Sequence, residues 1–297
     1  MNRNLVSVVL LLALSGELIA QRYGSRGRSR GYGDDGSGGT WSEGGFIPPE
    51  MRTPRELGTH STGTPTWINP PHFEPDTFTF VRVRRGTSGS GSGGNWATDT
   101  PDSDLNLSYR LQQMTSMRTN PDGRFIRLTD PELAGYPFIY MVEPGSLYLT
   151  DAEIVALRKY LLNGGFLMLD DFWGEYEWAN AADVIHQVLP DRAFTELPLD
   201  HPVYHCVFEI KAKAQVPGIR FWQHSGGDTS ERGSDSAEVH HRAIFDDKGR
   251  MMVIATHNTD NGDGWEREGE DAAYFQQFSE KVSYPLGINI IFYAMSH

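Results

Sequence analysis

The clearest pattern of apolar and polar positions runs through residues 135–174, GYPFIYMVEPGSLYLTDAEIVALRKYLLNGGFLMLDDFWG. Residues 137–142 are a near-continuous apolar run, as expected of a strand covered on both faces. Thr150 and Glu153 have capping-box spacing. The helix they open places Ile154, Leu157 and Leu161 on one face, and Gly164 suits its left-handed stop. Residues 166–169 form a second buried strand that ends in Asp170 and Asp171. A helix between two apolar strands predicts a β-α-β unit with a parallel, right-handed crossover.

Residues 78–84 alternate and are rich in aromatic and β-branched side chains, a first strand. Leu107, Leu111 and Met114 recur at helical spacing behind Asp102 or Ser103 as cap. A short strand is expected at 125–128 and a helix at 178–188, stopped by Pro190. Residues 197–205 begin as a loop and become strand-like; 215–236 read as an irregular excursion. Two strands, 239–245 and 250–256, flank the turn Asp246-Asp247-Lys248-Gly249. Ile288, Ile291, Phe292 and Met295 mark a C-terminal helix with Pro285 in its first turn. Together these predict an α/β fold with a mostly parallel, doubly wound sheet, a β-hairpin and a loop insertion.

Composition changes the picture mainly at the amino end. Residues 1–20, MNRNLVSVVLLLALSGELIA, have the basic start, apolar centre and small-residue end of a signal peptide. The apolar run is far shorter than the ~20 residues of a membrane-spanning helix. The mature chain is therefore expected to be exported, periplasmic or secreted, with no integral span after cleavage. Residues 21–71 read as a Gly/Ser/Arg-rich, Pro-containing disordered linker, and 72–297 as one domain. A net charge of −13 argues against a nucleic-acid partner. Cys206 is the single cysteine, so no internal disulfide forms, and its strand-like setting suits a buried small hydrophobe.

Four polar groupings could carry chemistry. Asp170 and Asp171 lie where open α/β sheets bind ligands, beyond the carboxyl end of a strand. They could hold a metal, act as a general base, or accept from the next helix; Trp173, Glu175, Glu177 and Trp178 could wall a cleft there or cap that helix. Asp99, Asp102 and Asp104, beside Asn95 and Trp96, could coordinate Ca2+ or Mg2+ through oxygen. Alternatively Asp102 caps a helix, Asp104 complements its dipole and Asp99 is solvated. His201 and His205 offer imidazole, yet four residues of strand would separate them by roughly 13 Å. Residues 256–265, with Asn258 and Asp260, read as an exposed polar loop after a strand. Asn261, Asp263, Gly264 and Glu270 match part of a calcium-loop template, with Thr259 where its first Asp belongs. No cofactor is specified by any complete motif.

The motifs GNWATDTPDSDLNLSYRLQQMTS, RLTDPELAGYPFIYMVEPGSLYLTDAEIVALRKYLLNGGFLMLDDFWG, ELPLDHPVYHC and ATHNTDNGDGWE together resemble the bacterial domain of unknown function 4159 family, over residues 78–297. The resemblance implies a class I glutamine amidotransferase-like, flavodoxin-like fold. More distantly, the chain is similar to trehalose-utilisation-type domains. Amidotransferases of that fold use a cysteine, usually within Gly-x-Cys-x-Gly; Cys206 sits in His-Cys-Val, which argues against glutaminase chemistry. The expectation is an exported, non-catalytic binding or assembly domain of the cell envelope, with an envelope protein or a carbohydrate as partner. The alternative is a carboxylate- or metal-dependent hydrolase of an envelope polymer, built on Asp170 or Asp171 with His201.

Overall fold

A seven-stranded sheet forms the centre of the computed structural model, which describes residues 39–61, 63–71, 76–85 and 96–297. The expected signal peptide, residues 21–38 of the expected linker, and Asn95 lie outside the described residues. In spatial order the strands are β6 (Arg124–Ile126), β4 (Val81–Val83), β7 (Phe138–Val142), β8 (Phe166–Asp170), β11 (Met251–His257), β10 (His240–Phe245) and β9 (Thr195–Glu196). The first five are mutually parallel, and β10 and β9 extend the sheet antiparallel. Two small sheets flank it: the hairpin β1 (Thr40–Ser42) with β2 (Gly45–Ile47), and β3 (Thr77–Phe78) beside β5 (Arg118–Thr119).

Alternation along each strand divides its side chains between two cores. Val81, Ile139, Leu167 and Val253 pack with helices α2 (Asp151–Leu162) and α3 (Gly174–Val188). Phe80, Phe138, Met168 and Ile254 pack instead with α1 (Asp102–Met114) and α7 (Tyr284–Ser296). The β-α-β unit forms as its pattern predicts: Thr150 and Glu153 make the capping box, and Gly164 adopts φ +107°. The remaining helices are α4 (Ile219–Ser225), α5 (Asn261–Glu266) and α6 (Ala272–Tyr274), the last continuing through a π-helical stretch, Phe275–Ser283, into α7.

Three expectations are corrected. The linker expected to reach residue 71 is replaced, over 39–61 and 63–71, by chain packed on the domain. Ile47 and Leu57 are buried with Trp96 and Phe125, and the Arg84 guanidinium donates to the carbonyls of Ile47, Pro48 and Pro49. The α1 cap is Pro101, with Asp102 and Asp104 inside the first turn. The strand-like segment around residue 205 is a 3-10 turn, Pro202–Tyr204, followed by loop. Asn289 of α7 takes the place of a strand neighbour there: its Oδ1 accepts from the amides of Val207 and Phe208, and its Nδ2 donates to the Phe208 carbonyl. Cys206 is half-buried, and its thiol donates toward the carbonyls of Val203 and Asn289.

Candidate functional site

Because β4, β7, β8 and β11 run parallel, the loops that leave them meet at one edge of the sheet. Asp170, the last residue of β8, is fully buried and accepts from four donors: Tyr140 Oη at 3.1 Å, Asn261 Nδ2 at 2.8 Å, the Gly262 amide at 3.1 Å and the Thr256 hydroxyl. Burial raises its pKa and the hydrogen bonds oppose that rise. With its oxygens so occupied, Asp170 braces β7, β8 and α5 against one another.

Asp171 turns away from that network. Its φ of +58° is left-handed, and its Oδ1 accepts from the Trp173 indole at 2.9 Å. This turn brings it to Asp99, from the loop after β4, and Asp260, from the loop after β11; one carboxyl oxygen of each lies within 4.8 Å of the others. Asp99 and Asp260 are 4% and 6% exposed, and Asp171 is half-buried. Among the described residues, Asp99 Oδ2 has no hydrogen-bond partner although it is buried.

All three carboxyls are pushed well above the ordinary carboxylate range, first by desolvation and then by neighbouring acids. For Asp99 the largest charge is Asp263, for Asp171 it is Glu143, and for Asp260 it is Asp171. Glu231 joins the band; burial raises it to about 7 against the hydrogen bond it accepts from the Gly218 amide.

Backbone conformation is unusual here as well. Among the described residues, the non-glycine positions in the left-handed region are Asp99, Glu143, Asp171 and Asn258. All four sit in loops at this edge. Such residues cost roughly 1–3 kcal/mol each and cluster at functional sites. Asn258 is held by its side chain, which accepts from the Gly174 amide and donates to the Glu238 carbonyl. A Cβ on Gly262 would lie 2.2 Å from Asp99 Oδ2, so only glycine permits this approach.

A second acidic group, Asp99 with Asp263 and Glu266, has the same oxygen spacing but its own counter-charge. Arg267 Nε lies 2.9 Å from Asp263 Oδ1 and 2.6 Å from Glu266 Oε2. Asp263 also accepts from the Ile219 amide. The Asp99–Asp171–Asp260 group is therefore the better fit to a bound cation: three oxygen donors, a partnerless buried oxygen, and no guanidinium paired to any of its carboxyls among the described residues.

The other candidates lie elsewhere or have structural partners. Asp104 is paired with Arg82 inside the domain, Nη2 to Oδ1 at 2.6 Å. Asp102 accepts from the His60 amide and the Ser61 hydroxyl. Trp96 packs edge-on against Phe125 and donates to Thr40 Oγ1. Glu175 is exposed on α3. His201 accepts from the Val203 amide and packs on Phe245 and Tyr293; Phe245 ends antiparallel β10, so this is the opposite edge of the sheet. His205 is exposed and bound to Glu209. A groove of about 550 Å³, lined by Tyr136, Lys159, Tyr160 and Asn163 among others, also opens at that opposite edge.

The expected exposed loop at 256–265 is buried throughout, because α5 tucks it against Asp170 and Trp265 packs on both Phe80 and Tyr140. Residues 261–266 are helical, so the calcium-loop template does not form. Sequence reasoning passed over Glu231, Glu266, Arg267 and Tyr140. A local signal existed for Asp263, Glu266 and Arg267: acids three apart on a short helix share a face.

A comparison with protein-family models matches residues 79–295 to a domain of unknown function, DUF4159. No curated protein matches the chain.

Proposed function

The chain belongs to the DUF4159 family, and from its acidic centre we propose that it is an exported, divalent-cation-binding domain of the cell envelope. Asp99, Asp171 and Asp260 would hold a hard cation such as Ca2+ or Mg2+, which prefer carboxylate oxygens. The observation that carries this reading is the convergence of three carboxyls from three separate loops, with Asp99 Oδ2 partnerless. Buried acids in mutual contact must be neutralised by protons or by a cation. Positions on the cation that the protein leaves open would take an oxygen-bearing envelope ligand, a carbohydrate hydroxyl or a protein carboxylate.

An amidotransferase-like ancestry of the sheet belongs to the same reading, with the ligand edge kept and the thiol chemistry lost. Export rests on the residue 1–20 pattern. Hydrolysis through Asp170 and His201 has less support, since Asp170 is occupied by four donors and His201 packs at the other edge. The test is calorimetric titration of the chelator-treated chain with Ca2+ and Mg2+. The wild type should bind one equivalent that Asp171→Asn loses; equal binding by both proteins would refute the reading.

A further inference from the structure

The amino-terminal segment brings an imidazole to the far end of the acidic band. Glu43 lies in the turn between β1 and β2, His60 lies further along the same segment, and Glu266 ends α5. One ligand atom from each falls within 4.8 Å of the others. His60 Nε2 is 2.6 Å from Glu266 Oε1 and 3.3 Å from Glu43 Oε2.

Both are ion-pair contacts that lack the alignment of a hydrogen bond. Among the described residues, His60 Nε2 and Glu266 Oε1 are buried without a hydrogen-bond partner, Glu266 Oε2 is ion-paired with Arg267 Nε at 2.6 Å, and Glu266 has no exposed surface. The imidazole and the carboxylate thus meet at one point, where a shared ion would take the place of the direct N–O contact. The other side of the ring is braced: His60 Nδ1 lies 3.5 Å from Asp102 Oδ2, whose carboxylate also receives the His60 amide and the Ser61 hydroxyl. A carboxylate beside one ring nitrogen is the usual way to orient the other toward a metal.

Charge points the same way. Arg267 faces Glu43, Asp263, Glu266 and Glu270 at once, and Asp102 and Glu270 also flank His60. Buried Arg267, which donates to Glu43 Oε2 at 3.2 Å, and exposed Arg220, 3.7 Å from Glu43 Oε1, are set against five carboxylates, Glu43, Asp102, Asp263, Glu266 and Glu270, so an excess of negative charge remains.

We propose that Glu43, His60 and Glu266 form a metal site for a transition-metal dication such as Zn2+, separate from the Asp99–Asp171–Asp260 centre, which fastens residues 39–61 to the domain. One imidazole and two carboxylates suit Zn2+, whereas an all-oxygen set suits Ca2+. The site does not depend on the calcium reading, because the two groups share no residue.

The test titrates Zn2+ into the chelator-treated full chain by calorimetry, with limited proteolysis of residues 39–61 as a second readout. Wild type and Asp171→Asn should both bind one equivalent and gain protection of the segment. His60→Ala should weaken that binding by at least about tenfold, since loss of even an outer partner of a metal-binding His costs 10–100-fold. Should His60→Ala fail to fold, Glu43→Gln at the exposed hairpin turn replaces it, with the same expectation. Zn2+ binding that is unchanged in both variants, or that leaves proteolysis unaltered, would overturn the proposal and leave an ordinary His60–Glu266 ion pair.

Discussion

Asp170 and Asp171 are adjacent in the chain yet face different surroundings: Asp170 accepts from Tyr140, Thr256, Asn261 and Gly262, while Asp171, at φ +58°, turns toward Asp99 and Asp260. Their substitutions should separate accordingly. Asp170→Ala strands several buried donors and should cost about 3 kcal/mol or more of stability. Asp171→Ala should stay within about 1 kcal/mol of wild type without calcium and lose the calcium-induced rise in melting temperature. Urea denaturation with and without Ca2+ measures both.

The acidic centre makes stability depend on pH in a definite direction. Folded-state pKa values of Asp99, Asp171 and Asp260 lie above their ordinary 3.8, so the folded chain holds these protons more tightly than the unfolded one. Without cation, their contribution to stability therefore falls as pH rises above 3.8 through the folded-state values, and Glu231 adds a fall between 4.5 and about 7. His241 and His257 act oppositely: burial lowers them from 6.5 to about 3 and about 4, so their share is lost as pH falls below 6.5. The wild type minus Asp171→Asn difference cancels the histidines. It should grow more unfavourable to wild type as pH rises above 3.8, and Ca2+ should abolish the trend.

Gly262→Ala tests how closely the centre is packed. Alanine in place of a helical glycine normally gains up to roughly 0.5–1 kcal/mol, the full amount only in a helix interior, and Gly262 is the second residue of α5. Here the added carbon would meet Asp99 Oδ2 at 2.2 Å, so the sign should reverse, with a loss of roughly 1–3 kcal/mol and weaker calcium binding. A stabilised variant with unchanged affinity would show that Asp99 moves aside freely.

Asp104 should matter for folding and not for cations. Arg82→Met breaks its buried pair and leaves the Asp104 charge uncompensated, a cost of about 3–5 kcal/mol. Asp104→Asn should likewise lower the denaturation midpoint while calcium affinity stays within about twofold. Loss of calcium binding in a folded Asp104→Asn protein would place that residue in the centre after all.

Local signals carried much of the architecture. The apolar runs that became β7 and β8, the Thr150–Glu153 box, Gly164 and Pro285 each act within a few residues of themselves. A helix between two buried strands then leaves a parallel pairing as the economical arrangement. The edge at which to look for a site also followed from the sequence, since it is set by strand direction.

Assignment of residues to the site did not follow. Asp102 and Asp104 lie in the same short acidic stretch as Asp99, yet they anchor His60 and Arg82 while Asp99 reaches Asp171 and Asp260. Glu43 and His60 lie in chain whose composition predicts a linker, and Ile47 and Leu57 acquire burial only against Trp96 and Phe125. The apolar periodicity of 135–174, the capping box and the ends of its strands were determined by the sequence itself, because each depends on neighbours in the chain. Which aspartate braces the sheet and which meets its counterparts was decided by tertiary structure, because left-handed turns at Asp99 and Asp171 and the glycine at 262 bring together loops more than seventy residues apart.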